Sequence, residues 1–210
     1  MGQLGPRARP AAARHLSVVV IRDEPIEDLQ RHGEISIAFQ VMTVFEVQLV
    51  DGGLGGVLLT ERPVDVPWVK DYDAVDGGPQ HWASRFNVGN WGLLGAYADD
   101  RRIGGAVIAF DTPDVYMLRG RHDLAVLWDL RIVPDARRSG AGAALFRASE
   151  AWARERGCNA LEIETQQVNL PACRFYARMG CSLGAVDLNA YPELPDEAQL
   201  IWRRQLDSGA

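Results

Sequence analysis

Cysteine is scarce in this chain of 210 residues. Its three cysteines, Cys158, Cys173 and Cys181, form no CxxC pair and cannot all pair with one another, which argues against a disulfide framework. Idle thiols of this kind belong to a reducing compartment, so the cytoplasm is the expected location. His15, His32, His81 and His122 show no metal-ligand spacing, and no metal is expected. No apolar run approaches the length of a membrane-spanning helix, and no membrane partner is expected. Positive charge is also short: Lys+Arg total 22 against Asp+Glu 28, a net charge of -6. A nucleic-acid binder needs surplus cations to displace counterions from phosphates, so nucleic acid is not an expected partner, whereas a cationic small molecule suits the balance. Neither GxxxxGK[ST] nor GxGxxG occurs, which removes the two commonest nucleotide-binding turns.

What is present is a globular composition, 47% hydrophobic and 24% charged. Residues 1–14 carry arginines but no apolar stretch of signal-peptide length afterwards, and read as a flexible leader. A single domain is expected over 15–206, with 207–210 as a tail. LSVVVIR, from Leu16, reads as a strand, and Ile26–Arg31 as a short helix. ISIAFQVMTVFEVQLV and VLLTERPV read as strands on either side of DGGLGG. The Pro- and Gly-rich stretch from Pro63 to Asn90 reads as a long binding loop, and 23–90 as an acceptor-side insertion. Beyond it the periodicities are clearer. WGLLGAYADD and RRIGGAVIAFD form a hairpin about Asp99-Asp100, and DLAVLWDLRIVP is a third strand. GAGAALFRASEAWARERG puts Ala141, Leu145, Ala148 and Trp152 on one helical face, with Glu150 and Arg154 outside it. ALEIETQQV is a strand. NLPACRFYARMG is a helix with Asn169 able to cap it, Pro171 in its first turn and Gly180 closing it. Strands around SLGAVDL and QLIWRRQL complete one α/β domain on a mixed sheet.

The most informative segment is VPDARRSGAGAAL, Val133 to Leu145. A strand stops at Pro134 and a helix starts among Gly140, Ala141 and Gly142. Small residues there let a ligand approach the backbone, and the first helical amides have no intrahelical acceptor. Such a turn makes an anion site suited to a pyrophosphate, with Arg137 and Arg138 at its mouth; the alternative is an ordinary glycine-rich helix start.

RxxGxG after a strand ending in V-P, followed by an amphipathic helix, resembles motif A of the GNAT superfamily of acetyl-CoA-dependent N-acyltransferases, and the similarity runs over roughly residues 91–206 as a cofactor-binding core. WVKDYD, LWDLRIVPDARRSG, ETQQVNLPACRFYARMGC and YPELPDEAQLIW together resemble the streptothricin acetyltransferase-like branch. The resemblance implies the GNAT fold: a mixed, mostly antiparallel sheet, splayed between its two central parallel strands and flanked by helices. It implies that Arg138, Ser139, Gly140, Ala141 and Gly142 hold the pyrophosphate of acetyl-CoA. Leu130, Ile132 and Val133 would line the pantetheine arm, with one amide, at Leu130 or Ile132, on the thioester oxygen. Asn169 matches the family's contact to the cofactor arm, a role compatible with capping the helix. A homodimer is an expectation at the level of the family.

Amine acylation needs a proton acceptor for the amine and benefits from a donor to the departing thiolate. Tyr176 matches the family's general acid; its alternative is simple packing beside Phe175. For proton removal or amine binding, Asp129 stands within an apolar strand, where Arg131 offers an ion pair instead. Glu162 and Glu164, on one face of a strand, are the next candidates for the base. Trp68, Asp71, Tyr72 and Asp73, near Trp82 and Trp91, together with Asp187, Tyr191 and Glu193, are candidates for holding a cationic amine by charge and by cation–π contact. The implied activity is direct transfer of an acetyl group from acetyl-CoA to a primary amine of a small cationic acceptor, such as a streptothricin-type antibiotic, because no serine or cysteine sits beside an evident base. Alternatives are acetylation of a protein lysine or N-terminus, or a regulatory module that binds acetyl-CoA without turnover.

Overall fold

The computed structural model describes residues 18–207. The leader at 1–14, His15, Leu16 and the last three residues of the tail lie outside the described residues. The chain enters through β1 (Val20–Glu24), passes a helical turn at 26–28 and forms α1 (Leu29–Gly33). A long hairpin follows, β2 (Phe39–Leu49) and β3 (Val57–Lys70), then α2 (Asp73–Asp76) and α3 (Pro79–Arg85). The remaining elements are β4 (Gly92–Ala98), β5 (Arg101–Phe110), β6 (Leu124–Ile132), α4 (Ala141–Glu155), β7 (Ala160–Gln166), α5 (Leu170–Arg178), β8 (Ser182–Asp187) and β9 (Gln199–Gln205).

Two elements correct the sequence reading. The stretch from Pro63 to Asn90 is not a long loop: β3 runs through Pro63 and Pro67, and α2 and α3 follow. Proline removes a ladder donor, but β2 and β3 pair only with each other, in a two-stranded ribbon whose register shifts beside Pro63, so β3 has an outer edge that needs no donor. Pro79 opens α3 behind Gly78, held at φ 67, so residues that read as loop signals are helix boundaries. Glu150 also departs from expectation. It is buried, accepts from Arg204 Nε at 2.7 Å and lies 3.8 Å from Arg154.

Seven strands form the main sheet in the order β1-β4-β5-β6-β7-β9-β8. All neighbours are antiparallel except β6 and β7, which run parallel. Asp99 and Asp100 turn the β4–β5 hairpin with φ 48 and 60, the left-handed pair that a two-residue hairpin requires. Both faces of the sheet are covered, which explains why β6 reads as an almost unbroken apolar run. Ala125 and Leu127 face a core with Leu145 and Phe146 of α4 and Leu161 and Ile163 of β7. Leu124 and Val126 face a second core built around Trp82, Trp91 and Leu118.

The parallel ladder is short. It consists of Leu124↔Ala160, Ala125↔Leu161 and Val126↔Glu162. Beyond those pairs β6 continues to Ile132 and β7 to Gln166 with no pairing between them. The sheet therefore opens into a gap, with α4, α5 and the Phe45 and Leu59 side chains of the hairpin on one face and α1 and α2 on the other.

Candidate active site

The gap exposes one edge of β6. Val133 N–H donates to Ile103 O at 2.9 Å, so at this register the hydrogen-bonded pairs with β5 fall at Val133, Arg131 and Asp129. Leu130 and Ile132 alternate with them, and their amides face the gap. Val133, expected to line a ligand, has its amide turned the other way. At the end of β6 the chain turns through Arg138 (φ 65) and Gly140 (φ 97) into α4. Ser139 Oγ accepts from Ala141 N at 3.3 Å, while the amides of Arg138, Gly140, Gly142 and Ala143 donate to no acceptor among the described residues. Gly140 caps the helix in a left-handed conformation that a side chain would strain, and the space beside its Cα is open. Arg137 folds back onto β6, its Nε 3.3 Å from Ile132 O. Four free amides at the positive end of a long helix fit a diphosphate, and the open edge of β6 leads from them into the gap.

Across the gap stands α5. Asn169 caps it, its Oδ1 accepting from Ala172 N at 3.2 Å. Tyr176 is buried, its ring against Phe175 and Phe146 at centroid distances of 5.1 and 6.0 Å. Its hydroxyl makes no hydrogen bond among the described residues. Burial, and then the nearby charge of Asp129, push its pKa well above the ordinary phenol value, so the proton stays on the oxygen. The three thiols are buried with pKa values pushed up by burial, Cys158 and Cys173 to about 11 and Cys181 to about 12, so none offers a ready thiolate.

The carboxylates sort themselves by their partners. Asp129 is enclosed: Arg131 donates to it from Nε at 3.1 and 3.0 Å and from Nη2 at 2.7 Å, and His32 Nε2 lies 3.2 Å away. Burial works against its charge, but the hydrogen bond and charge of His32, with the charge of Arg131, outweigh it and hold its pKa below the usual range. Asp73 is taken by the same guanidinium at 2.6 and 2.8 Å. Asp71 accepts from the backbone of Asp73, and Trp68 lies half-exposed opposite Val41 on the hairpin. Trp82 and Trp91 belong to the second core with Phe86 and Trp128, away from any acceptor wall. Glu162 is buried against Arg119 and Arg203, at 2.8 and 2.9 Å.

Glu164 differs from all of these. It accepts from Tyr191 Oη at 2.5 Å, Gln199 Nε2 at 2.8 Å, Gln166 Nε2 at 3.2 Å and the hydroxyl of Tyr116, and has no cationic partner among the described residues. Tyr72, which senses the charge of Glu164, donates to Glu197 at 2.9 Å, and Lys70 pairs with the same carboxylate beneath the Tyr72 ring. Burial, then Glu164 or Glu197, raises the pKa of Tyr72, Tyr116 and Tyr191, so all three remain donors. Sequence reasoning named Tyr72, Tyr191 and Glu164 but missed Tyr116, Glu197 and Gln199. Glu197 and Gln199 lie in YPELPDEAQLIW, a segment already singled out, whereas Tyr116 carries no local signal.

The sequence model of the Acetyltransferase (GNAT) family matches residues 59–181, more than half of the chain. The chain belongs to the GNAT family. As a GNAT protein it is an acetyl-CoA-dependent N-acetyltransferase, and the matched region contains the free-amide turn, the open edge of β6 and Tyr176. Among characterised GNAT enzymes, it is 27% identical to a streptothricin acetyltransferase of Escherichia coli over 190 residues, 89% of this chain and 94% of that protein. It is 29% identical to one from Streptomyces lavendulae over 164 residues, 77% and 80% of the two chains. The solved structure of nourseothricin acetyltransferase superposes with a TM-score of 0.69 at 26% identity, over 90% of this chain and 99% of that one. A Bacillus anthracis protein solved with acetyl coenzyme A shares the fold, with a TM-score of 0.70 at 23% identity over the same shares of the two chains. No helix among the described residues is long and apolar enough to cross a membrane.

Proposed function

We propose that the enzyme acetylates a primary amine of a small cationic acceptor of the streptothricin kind, by direct attack while both substrates are bound. The observation that carries this reading is the cage around Glu164: a carboxylate at the splayed end of β7, held by four neutral donors and paired with no cation among the described residues. A carboxylate rimmed with phenols is what an alkylammonium needs, because charge and ring faces both attract it. The relatives named for streptothricin acetylation point to the same class of acceptor.

Acetyl-CoA supplies the acetyl group as an activated thioester. In this mechanism the amides of Arg138, Gly140, Gly142 and Ala143 hold the diphosphate, and Arg138 adds charge beside them. Asn169 keeps α5 capped at the margin of the cofactor arm. Glu164 binds the acceptor's ammonium and takes the proton that the amine must lose before it attacks. An amide of Leu130 or Ile132 donates to the thioester oxygen as negative charge grows there. Tyr176 gives its phenolic proton to the departing sulfur. Asp129 is set aside as the base, since its charge is already paired with the Arg131 guanidinium and its pKa is depressed, whereas the donors on Glu164 are all neutral.

A thiol-release assay with acetyl-CoA tests the reading against a streptothricin, an aminoglycoside and lysine peptides. Release is expected with the streptothricin. Release confined to peptides would overturn the small-molecule assignment, and acetyl-CoA binding without release on any amine would make the protein a regulatory module.

A further inference from the structure

Three residues of WVKDYD remain unexplained by the chemistry above, and each reaches out of its own segment. Tyr72 donates to Glu197 at 2.9 Å, and Lys70 pairs with the same side chain, just before β9. Asp73 pairs with Arg131 of β6 through two bonds of 2.6 and 2.8 Å. β6 and β9 stand on opposite sides of the gap, since β9 pairs with β7. Residues 70–73 therefore span the mouth of the acceptor side and are bonded at both ends.

We infer that this segment is a tie that fixes the width of the acceptor opening, and that Arg131 is the positioning residue that sets it. Its side chain is buried, and its donors are fully engaged: Nε on Asp129, Nη1 on Asp73 and on Ile35 O at 3.0 Å, and Nη2 on Asp73 and Asp129. A planar guanidinium can hold two carboxylates at fixed angles; an ammonium cannot. Asp129 is in turn steadied by His32, so the anchor rests on a rigid strand. Asp73 has no other side-chain partner among the described residues, so Arg131 fixes this end of the segment while Glu197 holds Tyr72 at the other. Tyr72 donates to Glu197 at 2.9 Å and lies near enough to Glu164 to feel its charge, so it stands beside the proposed acceptor wall. Arg131 thus acts on the acceptor through Asp73 and Tyr72 without touching it.

This inference rests on the proposed acceptor site, and its test separates the two. Asp73→Asn keeps the shape and removes the charge, with Asp73→Ser as a second variant. With a streptothricin as acceptor, its KM is expected to rise about ten- to 150-fold, the range for breaking a charged hydrogen bond. The kcat should stay within about threefold and acetyl-CoA affinity by calorimetry should be unchanged, a split that general unfolding would not produce. Amide hydrogen exchange over residues 70–76 should quicken at least tenfold in both variants. An unchanged acceptor KM, or KM values for both substrates rising together as the melting temperature falls, overturns the tie. If the parent enzyme releases no thiol with the streptothricin, the acceptor assignment fails and exchange alone decides: faster exchange at 70–76 supports the tie, and unchanged exchange overturns it.

Discussion

Replacing Tyr176 by Phe isolates the proton from everything else that the residue does. The ring is buried against Phe146 and Phe175 and a phenylalanine keeps those contacts, while the lost hydroxyl has no hydrogen-bond partner to leave unsatisfied. Removing a hydroxyl that has no hydrogen-bond partner strands no buried polar group, so the melting temperature should move by less than about 2 °C. The chemical step should suffer far more. General acid catalysis contributes roughly 10²- to 10⁴-fold, equivalent to about 3–5 kcal/mol of barrier. Because the proton is given only as sulfur departs, kcat and kcat/KM should fall together while calorimetry reports the same affinity for acetyl-CoA. The pH profile adds a second check. Burial and Asp129 raise the phenol's pKa, so it keeps its proton through neutral and mildly alkaline pH, and the parent should show no alkaline loss of kcat from this group below about pH 10. A Tyr176→Phe enzyme that turns over within threefold of the parent, with an unchanged melting temperature, would refute the assignment.

Three further outcomes follow from particular contacts. Gly142→Asp should abolish acetyl-CoA binding in calorimetry while the protein stays folded, because a Cβ at Gly142 meets only ordinary contacts, Phe175 at 3.6 Å, and an acid suits a helix N-terminus in the absence of a competing anion; retained affinity would remove the diphosphate site from this turn. Phe146→Ala should lower stability by about 3–5 kcal/mol, a shift of some 6–20 °C in calorimetry, since the ring is fully buried between α4 and the sheet, and a loss below about 1 kcal/mol would mean that this core is not the main one. All five tyrosines have raised pKa values, and Lys70 is the chain's single lysine. The folded state therefore holds phenolic protons more tightly than the unfolded chain, a stability fully present below about pH 10 and lost above it, so melting temperatures should decline from about pH 10 upward and stay flat if the phenols are not buried as described.

The second half of the molecule was readable in advance because its signals are local. The Asp99-Asp100 turn, the Asn169 cap and the apolar stripe of α4 depend on residues within a few positions of one another, and each forms as expected. The region from Pro63 to Asn90 misled because proline and glycine mark loops only when the backbone needs what they lack. On a two-stranded ribbon β3 does not need every donor, and at Gly78-Pro79 the same residues begin a helix. Tyr116 escaped because nothing in DTPDVYMLRG hints that its hydroxyl will meet Glu164, 48 positions away.

By itself, the order of residues determined the succession of strands and helices around the gap and the turn whose free amides can hold a diphosphate. Only the folded chain decided what each carboxylate does. Asp129 meets His32 across 97 positions and Asp73 meets Arg131 across 58, and those pairings turn two candidate ligands into structural anchors. Glu164 is left with phenols and amides in place of a cation. The physical reason is that a side chain's charge and proton are set by whichever groups packing brings within a few ångströms of it, and for these residues the groups come from distant segments joined by the sheet and the hairpin.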